Sequence, residues 1–248
     1  MAITIVIPAY NEAATIAGIV QRARQQAATV LVIDDGSSDA TAAQAESAGA
    51  TVLRQPDHQG KGEALWRGMQ AALAMDADAV ITLDGDGQHR PEDIPKLLDA
   101  RQRQPDRLIM AARLERRESA PRLRRFANGM ADFWVSWAAG YPIRDTQSGF
   151  RLYPAAFLRK LRPPRNGGGG FVFESALLIQ ATHCGYPPVA VVIEALYLPQ
   201  SRLSHYRPWR DTWRITVMVA KELLKRGLYP MGLLRSLGLL PLSRKQYD

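Results

Sequence analysis

The 248-residue sequence has a single cysteine, Cys184, so it can form neither an internal disulfide nor a Cys-based zinc site. It also lacks a long apolar run. The longest stretch free of Asp, Glu, Lys and Arg, Ser175 to Ile193, is broken by Gly185, Pro187 and Pro188. A spanning helix needs ~20 mostly apolar residues without such breaks. The first residues, Met1 to Pro8, have no basic n-region and no small-residue cleavage site, so no secretory signal is expected. These absences predict a cytoplasmic protein, soluble or peripheral on a membrane face. Low complexity is confined to Arg162–Gly170, and there is no internal repeat or long linker. What remains is ordinary globular composition, 46% apolar and 23% charged, in a chain long enough to bury a sizeable core. Lys+Arg 32 against Asp+Glu 24 leaves +8 at pH 7. That excess suits a polyanionic partner: nucleic acid, a sugar nucleotide or an anionic membrane face.

The first half alternates strand and helix signals. Ile3–Ile7, Val30–Ile33, Thr51–Leu53 and Ala79–Leu83 are apolar runs that read as buried strands, the first ended by Pro8. Helical faces lie between them at Asn11–Gln26, Ala40–Ala48 with Asp39 as N-cap, and Lys61–Met75. Four β-then-α units predict an α/β fold, a mostly parallel sheet with helices on both faces. Further on, strands are expected at Arg107–Ala112 and Val189–Leu196, and helices at Arg122–Ala139, Glu174–Cys184 and Asp211–Arg226. Ligands bind such sheets at the carboxyl ends of the strands. That places function at Pro8–Glu12, Asp34–Asp39 and Asp84–His89.

Each of these loops carries usable chemistry. In Asp84-Gly85-Asp86-Gly87-Gln88-His89, two carboxylates follow a buried strand, and glycine lets a ligand come close. Hard oxygen donors of this kind suit Mg²⁺ or Mn²⁺ on phosphate oxygens, with Gln88 adding a neutral oxygen. A plain Gly-Asp turn is the alternative. An EF-hand is excluded, because His89 and Pro95 stand where its Gly and Glu belong. In Asp34–Asp39, helix capping accounts for Ser37, Ser38 or Asp39 but not for Asp35, whose carboxylate can accept from a base or ribose. In Pro8–Glu12, Tyr10 can stack on a base and Glu12 can accept from one, although a strand-to-helix turn explains the same residues.

Taken together, Pro8–Glu12, Asp34–Asp39 and Asp84–Asp86 resemble the Pro-x-Tyr-Asn-Glu, Asp-Asp-Gly-Ser-x-Asp and Asp-x-Asp loops of family-2 glycosyltransferases of the GT-A fold. Gln88-His89, Arg113 and the run Asp145 to Arg151 resemble the branch of dolichyl- and polyprenyl-phosphate mannose synthases and glucosyltransferases. The resemblance spans roughly residues 3 to 215. It implies a nucleoside-diphosphate sugar, GDP- or UDP-hexose, held by Pro8, Tyr10, Glu12 and Asp35. Asp84, Gly85, Asp86 and Gln88 would surround the metal and diphosphate, Asp84, Asp86 and Gln88 as ligands of Mg²⁺ or Mn²⁺. Arg113, Arg202 and His205 would contact donor phosphates, with His205 standing where a Lys is common. Arg113, Arg124 and Arg125 would meet an acceptor phosphate.

The implied reaction is an inverting, metal-dependent hexosyl transfer to a polyprenyl phosphate, in which Asp84 and Asp86 serve catalysis by holding the metal that, with the arginines, neutralises the leaving group. A lipid phosphate needs no general base. A hydroxyl acceptor, soluble or in the cell envelope, would need one, and Asp145 is the candidate. Equally, Asp145 can hold Arg151 or cap the Thr146–Gly149 turn, and Glu174 reads as structural at a helix start. The Gly167–Gly170 run reads as a lid over bound donor. The expected organisation is a GT-A domain over 1–203 and a basic, aromatic, amphipathic segment over 204–248. That segment would lie on an anionic membrane surface, pack on the sheet, or form a homo-oligomer contact. The different-class alternative is a nucleotide- or nucleic-acid-binding protein without transferase activity. Three carboxylate loops at the ligand edge argue against a nucleic-acid backbone as partner.

Overall fold

The computed structural model describes residues 1–113, 122–162, 169–194 and 208–242, with 122–127 and 208–212 as backbone alone. Seven strands form one sheet: β1 (Ile3–Ala9), β2 (Thr29–Asp34), β3 (Thr51–Arg54), β4 (Ala79–Thr82), β5 (Leu108–Ala112), β6 (Arg151–Pro154) and β7 (Pro188–Val192). Their order is β3-β2-β1-β4-β6-β5-β7. β6 runs antiparallel to β4 and β5, and every other pair is parallel. The expected α/β sheet is present, with one reversed strand inserted.

Helices cover both faces: α1 (Ile16–Arg24), α2 (Thr41–Ser47), α3 (Lys61–Ala74), α4 (Ile94–Arg103), α5 (Arg122–Ala139), α6 (Ala155–Leu158), α7 (Gly170–His183), α8 (Pro208–Lys225) and α9 (Pro230–Ser236). Alternation along the strands divides the core. Ile5 and Ile7 pack with Val20 of α1 and Leu97 of α4, whereas Val6 packs with Leu65 and Met69 of α3 and Leu177 of α7. The inner side of α8, Ile215, Val219 and Leu223, joins that second cluster, so part of the C-terminal segment completes the core.

Several boundaries differ from the sequence reading. β1 runs through Pro8 to Ala9. Val6 O accepts from Leu83 N on the β4 side and Ala9 O from Asp35 N on the β2 side. Pro8 therefore turns its missing N–H toward β4, beyond the last β1–β4 pair, Val6 with Thr82. Residues 11–15 form a turn rather than the start of α1: Asn11 has φ 54°, and Glu12 O accepts from Thr15 N and Ile16 N. Ala40, not Asp39, is the N-cap of α2. α7 begins at Gly170, four residues before Glu174, and β7 stops at Val192.

Gly68 shows how closely α3 sits on the sheet. A Cβ there would lie 2.3 Å from Val6 Cγ1 and 3.0 Å from Ile33 Cγ1. Helix propensity alone favours Gly68→Ala by about 1 kcal/mol, but overpacking costs about 1–3 kcal/mol. The substitution is expected to lower the urea midpoint. An unchanged or raised midpoint would show that α3 is free to shift.

Candidate active site

The ends of β1, β2 and β4 lie side by side, and short polar side chains tie their loops together. Asn11 N donates to Ser37 Oγ (2.9 Å), and Asn11 Oδ1 accepts from Ser38 N (2.9 Å). Glu12 N donates to Thr41 Oγ1 (2.8 Å) and Ala13 N to Asp39 Oδ2 (3.2 Å). Asp39 Oδ1 also accepts from Thr41 N at 3.0 Å. Its carboxylate thus braces the first loop as well as the start of α2. Thr15 Oγ1 donates to Gly85 O at 2.7 Å, which ties the β1 loop to the β4 loop.

Asp35 is buried, and its carboxylate is met from three directions. Gln59 N donates to Oδ1 and Gly60 N to Oδ2, each at 2.8 Å, and His58 Nδ1 lies 2.9 Å from Oδ2. Tyr10 lies against the His58 ring in a tilted arrangement, with centroids 4.0 Å apart and planes at 31°. The structure therefore places Tyr10 and Asp35 around one spot, the His58 ring.

Asp84 stands two residues beyond β4. Lys61, the first residue of α3, brings Nζ to 2.7 Å from Asp84 Oδ1 and 3.2 Å from Glu174 Oε1 on α7. Burial works against both charges. Burial by itself lowers Lys61, but Asp84 and Glu174 outweigh it and hold the ammonium above the ordinary lysine range. Burial by itself raises Asp84, but Lys61, His89 and Arg113 outweigh it and hold that carboxyl low. Asp86 goes the other way: burial, then Asp84, raise its carboxyl, although Gln88 N donates to Oδ1 at 3.0 Å. The two carboxylates of one motif are pushed apart. Gly149 passes beside them. A Cβ there would sit 2.6 Å from Asp84 Oδ2, so the Asp145–Arg151 run needs glycine at this point. Thr82 Oγ1 holds it by donating to Gly149 O at 2.7 Å.

Asp145 does not hold Arg151. It grips Arg113, which donates from Nε and Nη2 (each 3.1 Å) and from its backbone N (2.8 Å). Asp145 sits at φ 55°, and the turn is fixed by Asp132 on α5, which accepts from Asp145 N (3.1 Å), Thr146 N (2.9 Å) and Thr146 Oγ1 (2.8 Å). Arg151 is fully buried and donates to the carbonyls of Thr146, Ser148 and Glu174, each at 2.8 Å. The turn alternative for Asp145 is thus met in part, through Ser148 N donating to Asp145 O at 3.0 Å. Its carboxylate orients an arginine whose charge acts on both Asp84 and Asp86.

Lys61, His58 and Asp132 are site residues that the loop motifs do not mark. Arg202 and His205, the side chains of Arg124 and Arg125, and Gly167 and Gly168 of the expected lid lie outside the described residues. Asp84 and Asp86 are hard oxygen donors, and Asp84 already accepts a cation in Lys61. They fit a divalent ion of the Mg²⁺ or Mn²⁺ type. Among the described residues no group of three or more His, Cys, Asp or Glu is arranged to hold a metal. Such an ion would draw its other ligands from Gln88, phosphate oxygens and water.

The sheet order, with its reversed sixth strand and carboxylates at the strand ends, is that of a GT-A glycosyltransferase. Mannosyl-3-phosphoglycerate synthase from Rubrobacter xylanophilus superposes with a TM-score of 0.70 at 23% identity, over 92% of this chain and 75% of that one. Glucosyl-3-phosphoglycerate synthase from Mycobacterium tuberculosis, solved with Mn²⁺, UDP and phosphoglyceric acid, gives 0.67 at 23%, over 91% and 78%. Residues 4–161 match Glycosyl transferase family 2, and the chain belongs to that family. Among its relatives, glycosyltransferase AglJ of Haloferax volcanii is 31% identical over 85% of this chain and 68% of its own. The undecaprenyl-phosphate mannosyltransferase of Micrococcus luteus is 28% identical over 78% and 83%.

His89 gives the site a measurable pH signature. Burial, then Arg113 and Lys61, hold its imidazole down to about 4 against Asp84 and Asp145, which raise it. As pH falls below about 6.5 the unfolded chain takes up a proton that the folded one refuses until about pH 4. Stability is therefore lost across that window and levels off below it. From pH 7 to pH 5 this comes to about 2 kcal/mol at 1.36 kcal/mol per unit. His89→Gln should lose that much less stability than the wild type in urea unfolding at the two pH values. Equal losses would mean that His89 is solvated.

Proposed function

We propose that the chain transfers a hexose, with inversion, from a nucleoside diphosphate to a polyprenyl phosphate, using Mg²⁺ or Mn²⁺. The observation that carries this is the carboxylate pair Asp84 and Asp86 at the sheet edge, flanked by Lys61 and by Arg113 in the grip of Asp145. An oxygen of the acceptor phosphate forms the new bond to the sugar's anomeric carbon, and the bond from that carbon to the diphosphate breaks. Charge accumulates on the departing diphosphate. A divalent ion held by Asp84 and Asp86 with Gln88 would offset it, and Arg113 and Lys61 are the cations already aimed there. Tyr10, Glu12, Pro8 and Asp35 hold the nucleoside. A lipid phosphate is already ionised at pH 7, so the engagement of Asp145 with Arg113 costs the reaction nothing. Relatives named undecaprenyl-phosphate mannosyltransferase and polyprenol monophosphomannose synthase support this acceptor class.

The outer side of the C-terminal helices agrees with it. Trp213, Leu224, Leu228, Met231, Leu237 and Leu239 are exposed beside Arg214, Lys221, Lys225 and Arg226. No helix among the described residues is long and apolar enough to cross a membrane. This side would rest on an anionic leaflet, as basic amphipathic surfaces do. Packing against a second copy is its other use.

A second reading, a soluble phosphorylated acceptor, is favoured by the structural likeness to the two phosphoglycerate-dependent synthases. One experiment separates the two. Labelled UDP-glucose or GDP-mannose is incubated with Mn²⁺ and either polyprenyl phosphate in anionic vesicles or 3-phosphoglycerate in solution. Label should enter the lipid product, less so as salt rises. Asp86→Asn should cut transfer by about 10² or more with its unfolding midpoint unchanged. Label appearing only in the phosphoglycerate product would establish the soluble acceptor instead.

A further inference from the structure

The contacts around His58 repeat, within the chain, those expected of a bound base. Its heteroaromatic ring lies on Tyr10 with centroids 4.0 Å apart, and its Nδ1 faces Asp35 Oδ2 at 2.9 Å. A carboxylate only accepts, so in this contact Nδ1 carries the proton. Tyr10 and Asp35 are also two of the four residues assigned to the nucleoside. We propose that His58 is a self-ligand: it fills the base subsite of the donor-free enzyme, and the donor's base displaces it. This inference rests on the nucleoside-diphosphate reading of the site.

Three observations favour displacement over a permanent role. The His58 side chain is 51% exposed, whereas Asp35 is 3% exposed, so the ring can leave without opening the core. Asp35 keeps its place when it does, because Gln59 N and Gly60 N hold both oxygens from the backbone at 2.8 Å. A carboxylate offers about four lone-pair positions, so the one that His58 vacates is open to another N–H. Uracil and guanine carry a ring N–H beside a carbonyl, and adenine and cytosine do not. The donor that best replaces His58 is therefore a uridine or guanosine diphosphate sugar. Part of its binding free energy goes into expelling the histidine, since affinity falls with the fraction of protein whose site is open.

Calorimetric titration of wild type and His58→Ala with UDP, and separately with pyrophosphate, both with Mn²⁺, tests this. Removal of the self-ligand should tighten UDP about tenfold, the scale of one stacked and hydrogen-bonded ring. It should leave pyrophosphate, which has no base, unchanged. Weaker UDP binding would mean that His58 grips the base instead. Equal affinities, or a parallel change in pyrophosphate binding, would equally overturn the proposal. A second measurement does not depend on the variant's affinity. The chain has four histidines, and the proton resonance of His58 should move to its solvent-exposed position on addition of UDP but not of pyrophosphate. A resonance that stays put in the UDP-saturated protein contradicts displacement. If wild type binds pyrophosphate but neither UDP nor GDP, the nucleoside reading itself falls.

Discussion

The site depends on one interaction, the Lys61 ammonium lodged between Asp84 and Glu174. Two carboxylates two residues apart at a partly dehydrated sheet edge repel each other, and charge withdrawn from water must be compensated locally. Lys61 supplies that compensation from the first turn of α3, and Glu174 fixes Lys61 from α7. One ion-pair cluster thus joins the end of β4 to two helices on the same face of the sheet. It also gives the two aspartates different characters: Asp84 is paired and held low, while Asp86 is raised and has no cation at salt-bridge distance among the described residues.

The backbone around this cluster is held by buried polar groups. Arg151 sits fully buried in the reversed strand and donates to carbonyls of the Thr146–Ser148 turn and of α7. Asp132 anchors the other end of that turn. Between them they place Asp145 so that it can aim Arg113, and place Gly149 against Asp84 with no room for a side chain. The polar network is costly to build, and although the buried Ser148 Oγ has no partner among the described residues, the paired groups hold the turn rigidly.

Local pattern made the parallel half of the fold legible, because continuous apolar strands and 3.6-residue periodicity are strong signals there. It failed where charge or proline interrupts the pattern. β6 begins with Arg151 and ends with Pro154, so no apolar alternation announces it. α4 follows Pro91 and carries Pro95 in its first turn, where proline is tolerated but masks the helical pattern. The three carboxylate loops were legible because each directly follows a strand. Lys61, His58 and Asp132 were not, because their roles arise only when α3, the loop after β3 and α5 are brought to the same edge. Asp145 shows the same limit: its charge was visible in the sequence, but the choice between Arg151 and Arg113 as its partner is made by the turn.

The central claim is that Asp84 and Asp86 form half of a binding site that a divalent ion and a nucleoside diphosphate complete together. Calorimetry of UDP and GDP with saturating Mn²⁺, and again in EDTA, tests it most directly. The account predicts that the metal and one nucleotide bind cooperatively, with the nucleotide at least about tenfold weaker in EDTA, a coupling of 1.4 kcal/mol or more. Equal nucleotide affinity in Mn²⁺ and in EDTA would contradict it.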